Sequence, residues 1–258
     1  MDRSLFRGRY LVGHLAVLTL AGLFILAGFW QLDRLHQVRA RNAVVRSRMG
    51  SPPTPLEAVL PPNALDPGDA SYRRVIVTGR YDLSRQVLVQ FRSYSGDPGD
   101  YLLTPVVTSN GSAILVNRGW IPLSNTPVQQ ARGLDPPPGD VRLTGILFPS
   151  EKSGSKPIDA AGGIVEVTRI DLPSLARALG GARLYPAYLQ LTAQSPTQAG
   201  DYPIVLPLPH LDNGPHLSYA IQWFSFTAIG LVGWPLLLRR SLRDRKQDAE
   251  RARDREPA

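Results

Sequence analysis

The sequence predicts an α+β membrane protein, with two transmembrane helices flanking a mostly antiparallel β extracytoplasmic domain that holds one short helix. Three observations carry this. First, Tyr10 to Leu32 and Leu217 to Leu238 are runs of 23 and 22 residues without Asp, Glu, Lys or Arg. Each satisfies the ~20 apolar residues that a bilayer crossing requires. Second, the apolar spacing changes between Tyr72 and Thr192 from a helical period to alternation. Third, residues 1–48 carry eight Arg against two Asp, and residues 239–258 carry seven Arg and one Lys against five acids. The 190 residues between hold 13 basic and 14 acidic groups. The net charge of +8 therefore belongs to the flanks of the apolar runs. A nucleic-acid interface, which needs a clustered cationic surface, loses its support.

Taken in order, residues 1–9 form a cytoplasmic N-terminus and 10–32 the first transmembrane helix. A cleaved signal peptide is the alternative, because Arg3, Arg7 and Arg9 precede the run. The run exceeds the ~7–15 residues of a signal h-region, and no small-residue cleavage site follows Gly28-Phe29-Trp30-Gln31. Leu32, Leu35 and Val38 keep helical spacing, so the helix continues over 33–50. Ser51-Pro52-Pro53-Thr54-Pro55 and Pro61-Pro62 make 51–71 an extended, proline-rich connector.

The β-rich domain occupies 72–192. Strands are expected at 74–81, 86–91, 101–107 and 113–116, then at 141–147, 164–170 and 188–192. Ser109-Asn110-Gly111-Ser112 joins the third and fourth as a hairpin, and Gly96-Asp97-Pro98-Gly99 reads as a turn. Asp171 caps a short helix over Leu172–Leu179, which Gly180-Gly181 stops. A mixed antiparallel sheet or a small barrel accommodates these pieces. Residues 193–216 lead back to the membrane, 217–238 form the second transmembrane helix, and 239–258 a basic cytoplasmic tail.

Orientation follows from the second run. No Lys or Arg occurs between Arg183 and Arg239, whereas Arg239, Arg240, Arg243, Arg245 and Lys246 crowd its far end. That end is expected in the cytoplasm. Both termini are then cytoplasmic and the main domain extracytoplasmic, in a bacterial cell membrane.

The chain has no Cys, which removes disulfides, CxxC redox pairs, thiolate metal sites and copper delivery through paired Cys. No HExxH, GxSxG or Walker pattern occurs, so a binding or assembly role is expected rather than an enzyme. No resident metal site is expected either. Two motifs stand out. Asn117-Arg118-Gly119-Trp120-Ile121-Pro122 follows the hairpin. It reads either as a structural turn, with Trp filling a core and Pro blocking strand continuation, or as a docking corner in which Arg118 and Trp120 bind a partner. His216-Leu217-Ser218-Tyr219-Ala220-Ile221-Gln222-Trp223-Phe224 opens the second run. It is either an aromatic belt or a site, with Tyr219, Gln222 and Trp223 beside His216.

Neutral imidazole ligates iron well, which makes His216 a candidate haem ligand. His14 sits near the opposite membrane face, roughly 25 Å away at ~1.5 Å per residue, too far to share one iron. His36 and His210 lie on the same side as His216.

In order along the chain stand Gly28-Phe29-Trp30-Gln31-Leu32-Asp33-Arg34, Val75-x-Val77-x-Gly79-x-Tyr81 and Thr104-Pro105. They are followed by Val116-Asn117-Arg118-Gly119-Trp120-Ile121-Pro122 and His216-x-x-Tyr219-Ala220-x-Gln222-Trp223-Phe224. This series resembles the surfeit locus, or Shy-type, family of cytochrome c oxidase assembly proteins. The resemblance covers both apolar runs and residues of about 72 to 122. It implies a biogenesis factor for haem-copper cytochrome c oxidase that assists haem a insertion into the catalytic subunit, with haem a held at most transiently and His216 as its ligand. The alternative it implies is a non-catalytic accessory subunit persistently bound to the oxidase or a respiratory supercomplex. The implied partners are oxidase subunits, the lipid bilayer and haem a synthesis enzymes, with Trp30, Gln31, Arg34, Arg118 and Trp120 as contact residues. Arg39 and Arg41 stand where the family often has Lys, keeping the charge but not the hydrogen-bond geometry.

Overall fold

Alternation along the strands determines where the core lies. In the computed structural model, which describes residues 8–123, 134–151, 156–160 and 164–253, Val75 and Val77, Ile114 and Val116, Val141 and Leu143, and Tyr185 to Leu191 at every second position all turn to one buried cluster. These belong to strands β2 (Arg74–Tyr81), β5 (Ala113–Pro122), β6 (Asp140–Pro149) and β9 (Leu184–Ser195). Strand β4 (Asp97–Thr108) adds Val106. The pairing order is β2-β6-β9-β5-β4, and β4 pairs back onto β2 through Gly79–Tyr81. Five strands thus close a ring whose interior is the first core.

Strand β4 serves two neighbours along one edge: β3 (Gln86–Tyr94) up to Leu103 and β2 from Val106 onward. Pro105 falls at the handover, where a missing N–H breaks no ladder. Its carbonyl accepts the Asp82 N–H at 2.8 Å. Beyond β3 the sheet continues through β8 (Ile164–Val167) and β7 (Ile158–Ala160). Most pairs are antiparallel, with β1 (Thr54–Pro55) on β2, β3 on β8 and β5 on β9 parallel. A second core packs Val87, Val89, Leu103, Leu115 and Tyr188 against Leu172, Leu175 and Leu179. The last three come from helix α3 (Leu172–Ala178) and its C-cap Leu179; its N-cap Asp171 accepts from Ser174 N. Gly180 and Gly181, at φ 73° and 75°, end it.

Three expectations need correction. Residues 51–71 are more than a connector. Thr54–Pro55 pairs with β2 as β1, Leu56–Val59 forms a second short helix (α2), and Leu56 and Leu60 are fully buried in the first core. The β3–β4 turn is Ser95-Gly96, both at positive φ, so Asp97, Pro98 and Gly99 already belong to the strand. That matches a two-residue primed turn. Strand β5 does not stop at Val116 but runs through Pro122, because a register irregularity at Leu102/Leu103 absorbs the bend. Gly119 there has φ 140°, and a Cβ would fall on the Ile204 carbonyl oxygen. The Asn-Gly hairpin joins β4 to β5 as expected.

The chain divides into two compact units, residues 1–43 with 211–258 and residues 44–210. The first is built on α1 (Gly8–Gly50) and α4 (His216–Arg253). Both helices are long and apolar enough to cross a membrane by length and composition. They pack through small residues, which let the two backbones approach closely. Gly13 lies against Trp234, and a Cβ at Gly28 would sit 2.6 Å from Phe224. Ala21 and Ala220 are buried. The Arg residues before position 8 and the tail beyond 253 lie outside the described residues.

Candidate functional site

The two helices run antiparallel with a fixed register. Gln31 of α1 meets His216 of α4, and one heptad inward Phe24 packs on Trp223 in a tilted pair with ring centres 5.3 Å apart. Residues seven apart lie within about 20° on a helix, so both pairs share one seam. His216 Nδ1 lies 2.8 Å from Gln31 Oε1. An amide oxygen only accepts, so Nδ1 donates, and in the neutral ring with that tautomer Nε2 keeps its lone pair. This is how ligating imidazoles are held, with one nitrogen fixed by a hydrogen bond and the other free for a metal.

The approach to His216 is itself built. Asn42, buried in α1, donates to the Asp212 carbonyl at 2.9 Å and to Asn213 Oδ1 at 3.2 Å, and Gly214 N donates to Asp212 Oδ1 at 3.0 Å. These bonds hold Asp212-Asn213-Gly214 as an Asx-type turn entering α4. Gly214, at φ 70°, lies beside the free edge of the ring, where a Cβ would stand 3.3 Å from Nε2. A side chain there would crowd the lone pair. Asn42 and Gly214 were not among the residues the sequence singled out. The Asp-Asn-Gly run ahead of a helix was the available signal.

The other expected site residues divide. Trp223 faces α1, whereas Tyr219 is 45% exposed and Gln222 is exposed, so the three do not form one cluster with His216. Trp30 is 61% exposed. Arg34 is exposed and donates to Gln37 within its own helix. His36 is exposed and lies five residues past Gln31, about 140° around α1. His14 accepts the Trp234 indole N–H at 2.8 Å. Arg118 and Trp120 form no exposed docking corner: they are 1% and 4% exposed, inside the β-rich unit. Trp120 packs between Tyr94 and Tyr202. They are interior because β5 continues through them and carries both side chains into packed surroundings.

Among the described residues, no group of three or more His, Asp or Glu could hold a metal.

Comparison with known proteins agrees with the motif series. The SURF1 family model matches residues 18–228. A SURF1-like protein of Mycobacterium tuberculosis is 34% identical over 236 residues, covering 87% of this chain and 81% of the relative. A SURF1-like protein of Monosiga brevicollis is 30% identical, with 83% and 82% covered. The cytochrome oxidase assembly protein SHY1 of Saccharomyces cerevisiae is 32% identical over 95 residues, covering 36% of this chain and 24% of SHY1. The chain belongs to the SURF1 family.

Proposed function

We propose that this protein is a membrane-anchored biogenesis factor for cytochrome c oxidase, assisting haem a insertion without catalysing a reaction of its own. Family membership and the likeness to an oxidase assembly protein support the pathway. The single observation that carries the site is the Gln31–His216 hydrogen bond, which leaves Nε2 available. Haem a, when bound, would supply an iron that a neutral imidazole can ligate. His216 would hold it, Gln31 would keep the ring in the ligating tautomer, and Gly214 would leave the approach open. The two apolar helices would cross the cell membrane, with Arg239, Arg240 and their neighbours on the cytoplasmic side. The catalytic oxidase subunit is the partner of this reading, with haem a synthesis enzymes as donors of the group.

The test is purification from membranes that make haem a. Wild type is expected to carry a haem signal that His216→Ala loses; equal signals in both, or none in either, would exclude ligation by His216. A deletion strain with normal haem a content and oxidase activity would exclude the assembly role.

A second reading has its own observation. Ser218, Gln222 and Ser225 lie at i, i+4 and i+7 on α4 and are exposed. Polar groups on an apolar helix usually face protein. A lasting lateral contact with an oxidase helix would make the chain an accessory subunit, and stoichiometric copurification with mature oxidase would distinguish it.

A further inference from the structure

Arg118 continues the inward alternation of Ile114 and Val116, at one end of the closed ring of strands. It is 1% exposed. Its Nη2 donates to the Leu134 carbonyl and to Gln198 Oε1 at 2.7 Å, and the guanidinium lies 5.6 Å from the Tyr81 ring centre. Among the described residues, Nε and Nη1 have no hydrogen-bond partner and Arg118 forms no ion pair. A buried cation with open donors is costly unless something accepts from it. Burial pulls the guanidinium down to about 10, opposed by Tyr81 and then by Asp135, so it is charged at neutral pH.

A second open donor lies beside it. Tyr81 donates to Gln194 Oε1 at 3.0 Å. Burial raises this phenol to about 12 despite the nearby Arg118, so it keeps its proton and engages the oxygen of the amide. Gln194 Nε2 is left buried without a partner among the described residues. Arg118 and Gln194 line the same cavity of about 250 Å³, whose remaining wall is Leu191, Ala193, Pro203 and Val205 with Thr192, Thr197 and Gln198, and whose surface is mostly apolar.

The open polar atoms of Arg118 and Gln194 are thus N–H donors, one group is cationic, and most of the wall is apolar. We infer that this cavity binds a small monocarboxylate, its oxygens taken by Arg118 and Gln194 and its short hydrocarbon tail lying on the Leu191–Val205 wall. A phosphate would bring more charge than one guanidinium answers and would leave the apolar wall unused. The volume lies below the ~300–1,000 Å³ of larger ligand sites, which limits the tail to a few carbons. The site uses no residue of the helical hairpin and stands independently of haem ligation.

The test uses the full chain in non-ionic detergent with 15N-labelled arginine, titrated with hexanoate, hexanamide or chloride at constant ionic strength. Hexanoate alone is expected to give a saturable shift of the Arg118 Nε–H resonance and a matching calorimetric signal, and Arg118→Met to lose the signal. Because Arg118 also ties down Leu134 and Gln198, Ala193→Leu is the second variant. It narrows the cavity from the wall, leaves the guanidinium's partners in place, and should weaken hexanoate binding about tenfold or more. Equal responses to hexanamide or chloride, no saturable response, or unchanged hexanoate affinity in folded Ala193→Leu would overturn the assignment.

Discussion

Gln31 and His216, 185 positions apart in sequence, share a 2.8 Å hydrogen bond that fixes which imidazole nitrogen is free. Under the proposed haem ligation by His216, removing the acceptor should act on affinity without removing the ligand. Gln31→Leu is expected to lower haem affinity about 10- to 100-fold, the usual cost of losing such an orienting partner. His216→Ala should abolish it. Haem absorbance per protein across a titration measures both.

Gly119 is required by backbone shape. At φ 140°, with the Ile204 carbonyl where a Cβ would stand, Gly119→Ala must distort β5 or break the Trp120–Ile204 bridge. A loss of about 1–3 kcal/mol is expected, read as a lower denaturant midpoint. Gly111→Ala, at φ 77° with open space around it, should cost less.

Tyr188 is buried against Phe148, and burial, reinforced by Glu151, holds its phenol well above the ordinary 10.0. The unfolded chain then releases this proton first as pH rises. Stability carried by the neutral phenol is present below pH 10 and lost progressively above it. Tyr188→Phe should flatten that alkaline decline relative to wild type, measured as denaturant midpoints from pH 8 upward.

The absence of Cys makes membrane topology directly testable. A single Cys at Asn213 should react with an impermeant maleimide in intact cells, and one at Arg240 only after permeabilisation. The reverse pattern would invert the proposed orientation.

Gln222 separates the two functional readings. Gln222→Leu should leave the Gln31–His216 bond and haem content unchanged. If the exposed stripe binds an oxidase helix, the variant should copurify with less oxidase, scored by subunit ratio after affinity isolation.

The sequence by itself determined the features that depend on local periodicity and composition. These are two uncharged helical runs, the alternation of β2, β4 and β6, the Asn110-Gly111 hairpin, and the Asp171-capped helix. Hydrophobic spacing and turn chemistry act over a few residues, so a linear reading captures them. It also placed Gln31 and His216 at corresponding ends of two helices. Only the tertiary structure decided that these two side chains bond, that Asn42 pins the Asp212–Gly214 turn, and that Leu56 and Leu60 leave a proline-rich stretch to fill a core. It also turned Arg118 and Trp120 inward. A strand interrupted by Gly and Pro looks locally like a turn, and only pairing with β4 across a register irregularity carries it through to Pro122. Contacts between residues far apart in sequence leave no local pattern, because the free energy that selects them comes from packing and hydrogen bonding across the fold.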